Sequence, residues 1–229
     1  MRAERDLSIW IIIPAYNEAA VIAQVVGDLA WRGYSITVID DGSTDATADK
    51  ASAAGAVVVQ HPVNLGQGAA LQTGLRFALR RGAELIVTFD ADGQHRAADA
   101  DTLIDALVAE RADFALGSRF LGGTAAMPVS RRLLLKAATW FTRVTTGLDI
   151  SDTHNGLRAM TRRGASRITL RQNRMAHASE LLHQIARSGL PYVEVPVIVD
   201  YTRYSLAKGQ KLSDSFRILV DLSAQRLHR

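Results

Sequence analysis

The sequence predicts an α/β fold, a mostly parallel sheet with helices on both faces. Three observations carry that prediction. Short apolar, partly β-branched runs recur through residues 8–117 and alternate with stretches of helical period. Three of the runs end in polar or acidic turns, at Pro14–Glu18, Asp40–Ser43 and Asp90–His95. In an open parallel sheet, ligands collect outside the carboxyl ends of the strands. Finally, the chain is 48% hydrophobic and 22% charged over 229 residues, which supplies ample core for one large domain or two small ones.

Ser8 to Ile13 reads as the first strand, stopped by Pro14. Pro14 to Glu18 turns into a helix reaching about Trp31, with Val21, Ile22, Val25, Val26 and Leu29 on one face. Ser35 to Ile39 is the second strand, and Ser43 or Thr44 is placed to cap the next helix. Ala56 to Gln60 is a short third strand. Asn64 to Ala70 then opens a helix to about Arg81, and Glu84 to Phe89 is the fourth strand. The glycines Gly66 and Gly68 read as structural, allowing a close helix–sheet approach. A helix over 97–109 and a strand Phe114 to Gly117 complete the alternating series. Later, Met175 to Arg187 reads as a helix. Pro191 to Tyr201 reads as a strand whose Pro196 argues an edge position. Ser213 to Arg229 reads as a terminal helix, with packing favoured over membrane contact.

Several classes are excluded. The chain has no Cys, hence no disulfide framework, thiolate metal site or Cys nucleophile. The start, Met1 to Asp6, is charged, and the Ile9 to Ile13 run is too short for a signal-peptide core. No apolar run is long enough to span a bilayer. The net charge of +4 is modest, but positive residues concentrate in 131–143, 158–174 and 203–229. Nucleic acid, acidic headgroups and phosphorylated substrates all suit that distribution.

The centre of the chain is Asp90-Ala91-Asp92-Gly93-Gln94-His95. Two carboxylates one residue apart at a strand end repel each other unless a cation sits between them. Mg²⁺ is commonly held by one or two carboxylates plus substrate phosphates. A divalent ion carrying a diphosphate therefore stands against a plain solvated Asp-x-Asp turn. The other two polar strand ends favour the ion, because carboxylates there would receive the donors of a ribose and base. His95 is a candidate second-layer or acceptor-side group, while His61, His183 and His228 read as structural or exposed. No His pair has zinc-ligand spacing.

Five motifs in order resemble glycosyltransferase family 2: Ile13-Pro14-Ala15-Tyr16-Asn17-Glu18, Asp40-Asp41-Gly42-Ser43-Thr44-Asp45, Asn64-x-Gly66-x-Gly68-Ala69, the Asp90 to His95 segment, and Gly117-Ser118-Arg119. The resemblance covers about residues 8 to 210 and is nearest to the polyprenyl-phosphate transferases of that family. It implies a GT-A fold, a nucleotide-sugar donor (a GDP- or UDP-hexose), Mg²⁺ or Mn²⁺, and inversion at the anomeric carbon. By position, Pro14, Ala15, Tyr16, Glu18, Asp40, Asp41 and Ala91 would hold the nucleotide-sugar. Asp90, Asp92 and Gln94 would hold metal and diphosphate, and Arg119 would meet a phosphate. Asp152-Thr153-His154-Asn155-Gly156-Leu157-Arg158 resembles a further family segment, with His154 and Asn155 in its variable middle. Relatives carry an acid near Glu180 that faces the site, whereas a solvated Glu is the expectation for this residue. Gln67 replaces a common Lys, and Arg203 to Gly209 matches its motif only loosely.

On the acceptor side, Arg131, Arg132, Arg203 and Lys208 are the candidate phosphate-binding residues, and Asp152 is the base candidate if the acceptor were a hydroxyl. In the 130–147 segment, Arg132, Lys136, Thr139 and Arg143 fall on one helical stripe, with Leu133, Leu134, Ala137, Trp140, Phe141 and Val144 covering the rest. That pattern suits an in-plane membrane helix. The expectation is thus one domain over 1–229, with residues 1–120 binding donor and 121–229 facing acceptor and membrane. It would be peripheral on the cytoplasmic face, with room for a small integral-membrane partner and no nucleic-acid partner. A soluble transferase acting on a hydroxyl, a nucleotidylyltransferase and a non-catalytic binding subunit are the alternatives. The second lacks its Gly-rich basic loop here, and the intact Asp90, Asp92 and Arg119 speak against the third.

Overall fold

The computed structural model describes residues 7–122, 129–172 and 176–200. Its sheet has seven strands in the order β3-β2-β1-β4-β6-β5-β7: β1 Ile9–Ala15, β2 Ser35–Asp40, β3 Val57–Gln60, β4 Leu85–Thr88, β5 Phe114–Ser118, β6 Arg158–Thr161 and β7 Tyr192–Pro196. Six strands run one way, and β6 alone is antiparallel to its neighbours β4 and β5. The helices are α1 Ile22–Ala30, α2 Thr47–Ala53, α3 Gln67–Arg80, α4 Ala97–Ala109, α5 Arg119–Gly122, α6 Val129–Thr146, α7 Arg162–Ala165 and α8 Ala176–Ser188.

The strand period of two sorts the core into two layers. Ile11 and Ile13 of β1 join Val25, Val26 and Leu29 of α1 and Leu103, Ile104 and Leu107 of α4. Ile12, between them, joins Leu71 and Leu75 of α3 and Leu181, Leu182 and Ile185 of α8. A sheet covered on both faces needs such continuous apolar strands. Gly74 lets α3 approach, since a Cβ there would overlap Ile12.

Four expectations change. Strand β1 passes through Pro14 and pairs it with Ile39. Ile12 O accepts from Phe89 N, whereas Ala15 O accepts from Asp41 N. By alternation, the missing N–H of Pro14 faces β4, whose pairing with β1 ends at Ile12. The proline therefore removes no ladder bond. Helix α1 begins at Ile22, after a turn in which Glu18 O accepts from Val21 and Ile22. Neither Ser43 nor Thr44 caps α2, whose N-cap position is Ala46. Ser43 Oγ instead accepts from Asn17 N at 2.9 Å. Strand β7 stops at Pro196, on the sheet edge that proline predicts. The expected terminal helix of 213–229 lies outside the described residues.

Candidate active site

Strands β1 and β4 are neighbours, and the chain leaves them toward opposite ends of the sheet. That reversal of strand order opens a crevice at their carboxyl ends. Pro14, Ala15, Tyr16 and Glu18 stand at the end of β1, Asp40 and Asp41 at that of β2, and Asp90, Ala91 and Asp92 beyond β4. The first two turns are stitched together. Asn17 adopts φ 55° and its Oδ1 accepts from Thr44 N at 2.8 Å. Glu18 N donates to Thr47 Oγ1 at 2.8 Å.

Asp40 and Asp41 are buried and tied into the neighbouring turns. Asp40 accepts from Ser43 N at 3.2 Å and Gln60 Nε2 at 3.3 Å. Asp41 accepts from Leu65 N at 2.9 Å and Gly66 N at 2.7 Å, and pairs with His61 Nδ1 at 2.8 Å. His61 Nε2 in turn meets Thr73 Oγ1 at 2.9 Å. Asp41 thus shapes the glycine turn that delivers Gln67 to the crevice. His61 is structural, as expected.

At the end of β4, Asp90 Oδ2 lies 3.1 Å from His95 Nε2 and Asp90 Oδ1 lies 3.4 Å from Gln67 Nε2. The Asp90 side chain keeps 29% of its surface exposed. Burial pushes its carboxyl up, but the His95 hydrogen bond and the charges of His95, Arg158 and His177 outweigh that and hold it below the usual carboxylate range. Burial and then the Asp90 charge push the Asp92 carboxyl up to about 6. Gln94 N donates to Asp92 Oδ1 at 3.1 Å. An acid pair whose second member resists ionisation is a donor set that a divalent cation relieves. Among the described residues no group of three or more acidic, His or Cys side chains could hold a metal alone. The two carboxylates therefore fit a hard cation that also takes phosphate oxygens.

The opposite wall is basic. Arg119 is buried and gives Nε to Asp152 Oδ2 at 2.6 Å and Nη2 to His154 O at 2.8 Å. Asp152 Oδ2 also accepts from Arg119 N, and its Oδ1 from His154 N at 3.1 Å. Both Asp152 oxygens are thus engaged, and the Oδ2 bonds hold Arg119 in place. Breaking such a buried pair costs about 3–5 kcal/mol. Glu194 of β7 accepts from Ser151 N at 2.7 Å and Asp152 N at 3.3 Å and so fixes that turn. Arg158, buried on β6, faces Asp90 and Asp152.

Arg158, Gly156, Glu194 and His177 escaped assignment from sequence. For Gly156 and Arg158 the signal was present, since both stand in the Asp152 to Arg158 segment that resembles a family motif. Glu180 is half-buried, and its Oε2 accepts from Arg171 N and Gln172 N, each at 2.9 Å. Gly68 packs against Gln172 and His177, not the sheet.

Arg131 and Arg132 lie in the first turn of α6, and Arg203 and Lys208 lie outside the described residues. The expected stripe on α6 is not continuous. Thr139 is buried, with Oγ1 donating to Leu135 O at 2.9 Å, and Arg143 folds back to Ile150 O at 2.7 Å and to Asp149. Leu133, Trp140 and Val144 instead face outward, 64%, 68% and 63% exposed. Among the described residues no helix is long and apolar enough to cross a membrane.

A family model described as glycosyl transferase family 2 matches residues 10–168, spanning β1 to α7 and both walls of this crevice. The chain belongs to glycosyltransferase family 2. The family 2 chain is 31% identical to the UDP-N-acetylglucosamine–dolichyl-phosphate N-acetylglucosaminyltransferase of Methanococcus voltae, over 95% of each chain. It is 36% identical to the polyprenol monophosphomannose synthase of Mycolicibacterium smegmatis, over 82% of this chain and 75% of that one. The GT-A fold is shared with glucosyl-3-phosphoglycerate synthase of Mycobacterium tuberculosis, solved with Mn²⁺ and UDP-glucose. The TM-score is 0.75 at 22% identity, over 96% of this chain and 79% of that one. This family 2 member is a glycosyltransferase whose acid pair and basic wall share one crevice.

Proposed function

We propose that this glycosyltransferase moves a hexose from a GDP- or UDP-sugar to a polyprenyl phosphate at the cytoplasmic membrane surface. One observation carries the choice of acceptor: Asp152, the acid beside Arg119, has both oxygens engaged. A hydroxyl acceptor would need a base there. A phosphate monoester has its second pKa near about 6 and is already anionic at neutral pH. Two similar chains, from Methanococcus voltae and Mycolicibacterium smegmatis, carry dolichyl-phosphate and polyprenol in their names.

In this reading Pro14, Ala15, Tyr16, Glu18 and Asp40 line the nucleoside end of the crevice, and Asp41 acts by fixing the turn before Gln67. Asp90, Asp92 and Gln94 would hold Mg²⁺ or Mn²⁺, which supplies neutralisation of the leaving diphosphate when bound. Arg119, held by Asp152, positions the acceptor phosphate, with Arg131, Arg132, Arg203 and Lys208 as further phosphate contacts. An oxygen of that phosphate attacks the anomeric carbon as the bond to the diphosphate oxygen breaks. Catalysis rests on positioning and charge. The outward face of α6 supplies the membrane contact.

The test offers radiolabelled nucleotide-sugars and a polyprenyl phosphate with Mn²⁺. Label should pass into the organic phase, and Asp92→Asn should lower the rate at least about 100-fold. Label appearing only on water-soluble sugar or small-molecule hydroxyls would overturn the acceptor assignment.

A further inference from the structure

Buried side-chain polar atoms are almost always hydrogen-bonded, so an unpaired one asks for an occupant. Among the described residues His95 Nδ1, His154 Nε2 and Asn155 Nδ2 are buried without a partner. Two of these atoms belong to consecutive residues of one loop. That loop is gripped at one end by Arg119, through His154 O. Its other end is Gly156, where a Cβ would overlap the Asp90 carboxylate. His154 and Asn155 therefore span the distance between the acid pair and the basic wall.

We infer that His154 and Asn155 read the hydroxyl pattern of the hexose being transferred. The inference rests on the function proposed above, because a leaving diphosphate at Asp90 and Asp92 and an acceptor phosphate at Arg119 leave the sugar between them. The chemistry of the free atoms suits hydroxyls. Asn155 Oδ1 accepts from Leu157 N at 2.9 Å, which fixes the amide orientation and leaves Nδ2 as a donor. His154 Nδ1 pairs with Thr153 Oγ1 at 2.7 Å, so Nε2 donates or accepts according to tautomer. A hydroxyl both donates and accepts and can answer either atom. Burial pushes the His154 imidazole down to about 4, which leaves a neutral ring with no charge to offer a phosphate. Sites built to bond a substrate hydroxyl discriminate more sharply than apolar pockets of the same shape.

The test compares the parent with His154→Phe, His154→Gln and Asn155→Asp, the last keeping the acceptor for Leu157 N and removing the donor. Donors are UDP-glucose, UDP-galactose, UDP-N-acetylglucosamine and GDP-mannose, with Mn²⁺. In His154→Phe and Asn155→Asp, the kcat/KM ratio of the best donor to its runner-up should fall about tenfold. His154→Gln should lose less. Calorimetric affinity for bare UDP or GDP should stay within about twofold. Unchanged discrimination in folded variants, or an equal loss toward the bare diphosphate, overturns the inference. Should His154→Phe fail to fold, Asn155→Asp and His154→Gln decide it. A parent that binds nucleotide-sugars without labelling lipid would overturn the acceptor reading alone. The calorimetric preference for nucleotide-sugar over bare diphosphate would then still test these two residues.

Discussion

Gly156 lies directly against the carboxylate of Asp90, so closely that a Cβ on Gly156 would overlap both carboxylate oxygens. The loop entering the one antiparallel strand is thereby the floor under the first acid of the pair proposed to hold the metal. Thr88 Oγ1 donates to Gly156 O at 2.7 Å and holds that floor to β4.

Gly156→Ala should therefore displace Asp90. The backbone φ at Gly156 is outside the left-handed region, so the cost comes from space alone. Stability should fall by about 1–3 kcal/mol. Mn²⁺-dependent nucleotide binding should weaken at least about tenfold, because the acid pair loses its geometry. Calorimetry on the folded variant checks this, and parental Mn²⁺ and UDP affinities would show that the contact has no functional consequence.

The acid pair also sets a pH dependence. The folded-state value of Asp92, about 6, lies above the ordinary 3.8. Between those values the native state binds the proton more tightly than the unfolded chain. The metal-free protein thus loses stability as pH rises through that window. A cation competes with the same proton. Mn²⁺ affinity should rise by up to about tenfold per pH unit below 6 and level off above about 7. The thermal shift caused by Mn²⁺ should be larger at pH 7.5 than at pH 5. An affinity flat from pH 5 to 8 would remove Asp92 from the metal site.

Asp41 tests the division between binding and positioning. Its carboxylate accepts two turn amides, Leu65 N and Gly66 N, and pairs with His61. Asp41→Asn must turn a donor toward at least one of these donors. Stability to urea should drop by about 2–3 kcal/mol, with donor affinity falling as a consequence of a loosened 61–66 turn. His61→Ala should reproduce a milder form of both losses, although no direct ligand contact is assigned to it. A fully stable Asp41→Asn with lost nucleotide binding would instead mark Asp41 as a direct nucleoside ligand.

Much of the fold was legible because each buried strand carries its signal locally. Ile11, Ile12 and Ile13 are fully buried, and such a run has few homes other than a sheet covered on both faces. The acid pair stood out because two carboxylates one residue apart at a strand end repel each other unless a cation sits between them. Strand β6 was not, since Arg158 to Thr161 has neither alternation nor length and is held by its two neighbours. The hydrogen-bond partners of Asp41, Asp152 and Glu180 were hidden for another reason. Each carboxylate is consumed by amides or a guanidinium that the sequence alone does not place beside it. The Pro14 boundary failed because proline blocks one side of a strand only, and β4 ends before reaching it.

The α6 surface was legible in composition but not in arrangement. Leu133, Trp140 and Val144 face outward, with Lys136 exposed among them, while Ala138, Thr139 and Thr142 form the buried side. Membrane contact would then rest on apolar insertion, with the Lys136 charge adding on the order of 1 kcal/mol near an anionic leaflet. The protein should sediment with anionic vesicles, and raising salt should weaken that binding only in part, because screening removes the charge contribution and leaves the apolar one. Changing Leu133, Trp140 and Val144 together to Ser should abolish sedimentation and lower turnover of a long-chain lipid phosphate. It should spare Mn²⁺-dependent UDP binding, because the acid pair proposed to carry it stands at the end of β4. Lys136→Gln alone should mainly flatten the salt dependence. Vesicle binding by the triple Ser variant equal to the parent's would assign that face to another contact and take away the structural basis for a lipid acceptor at this surface.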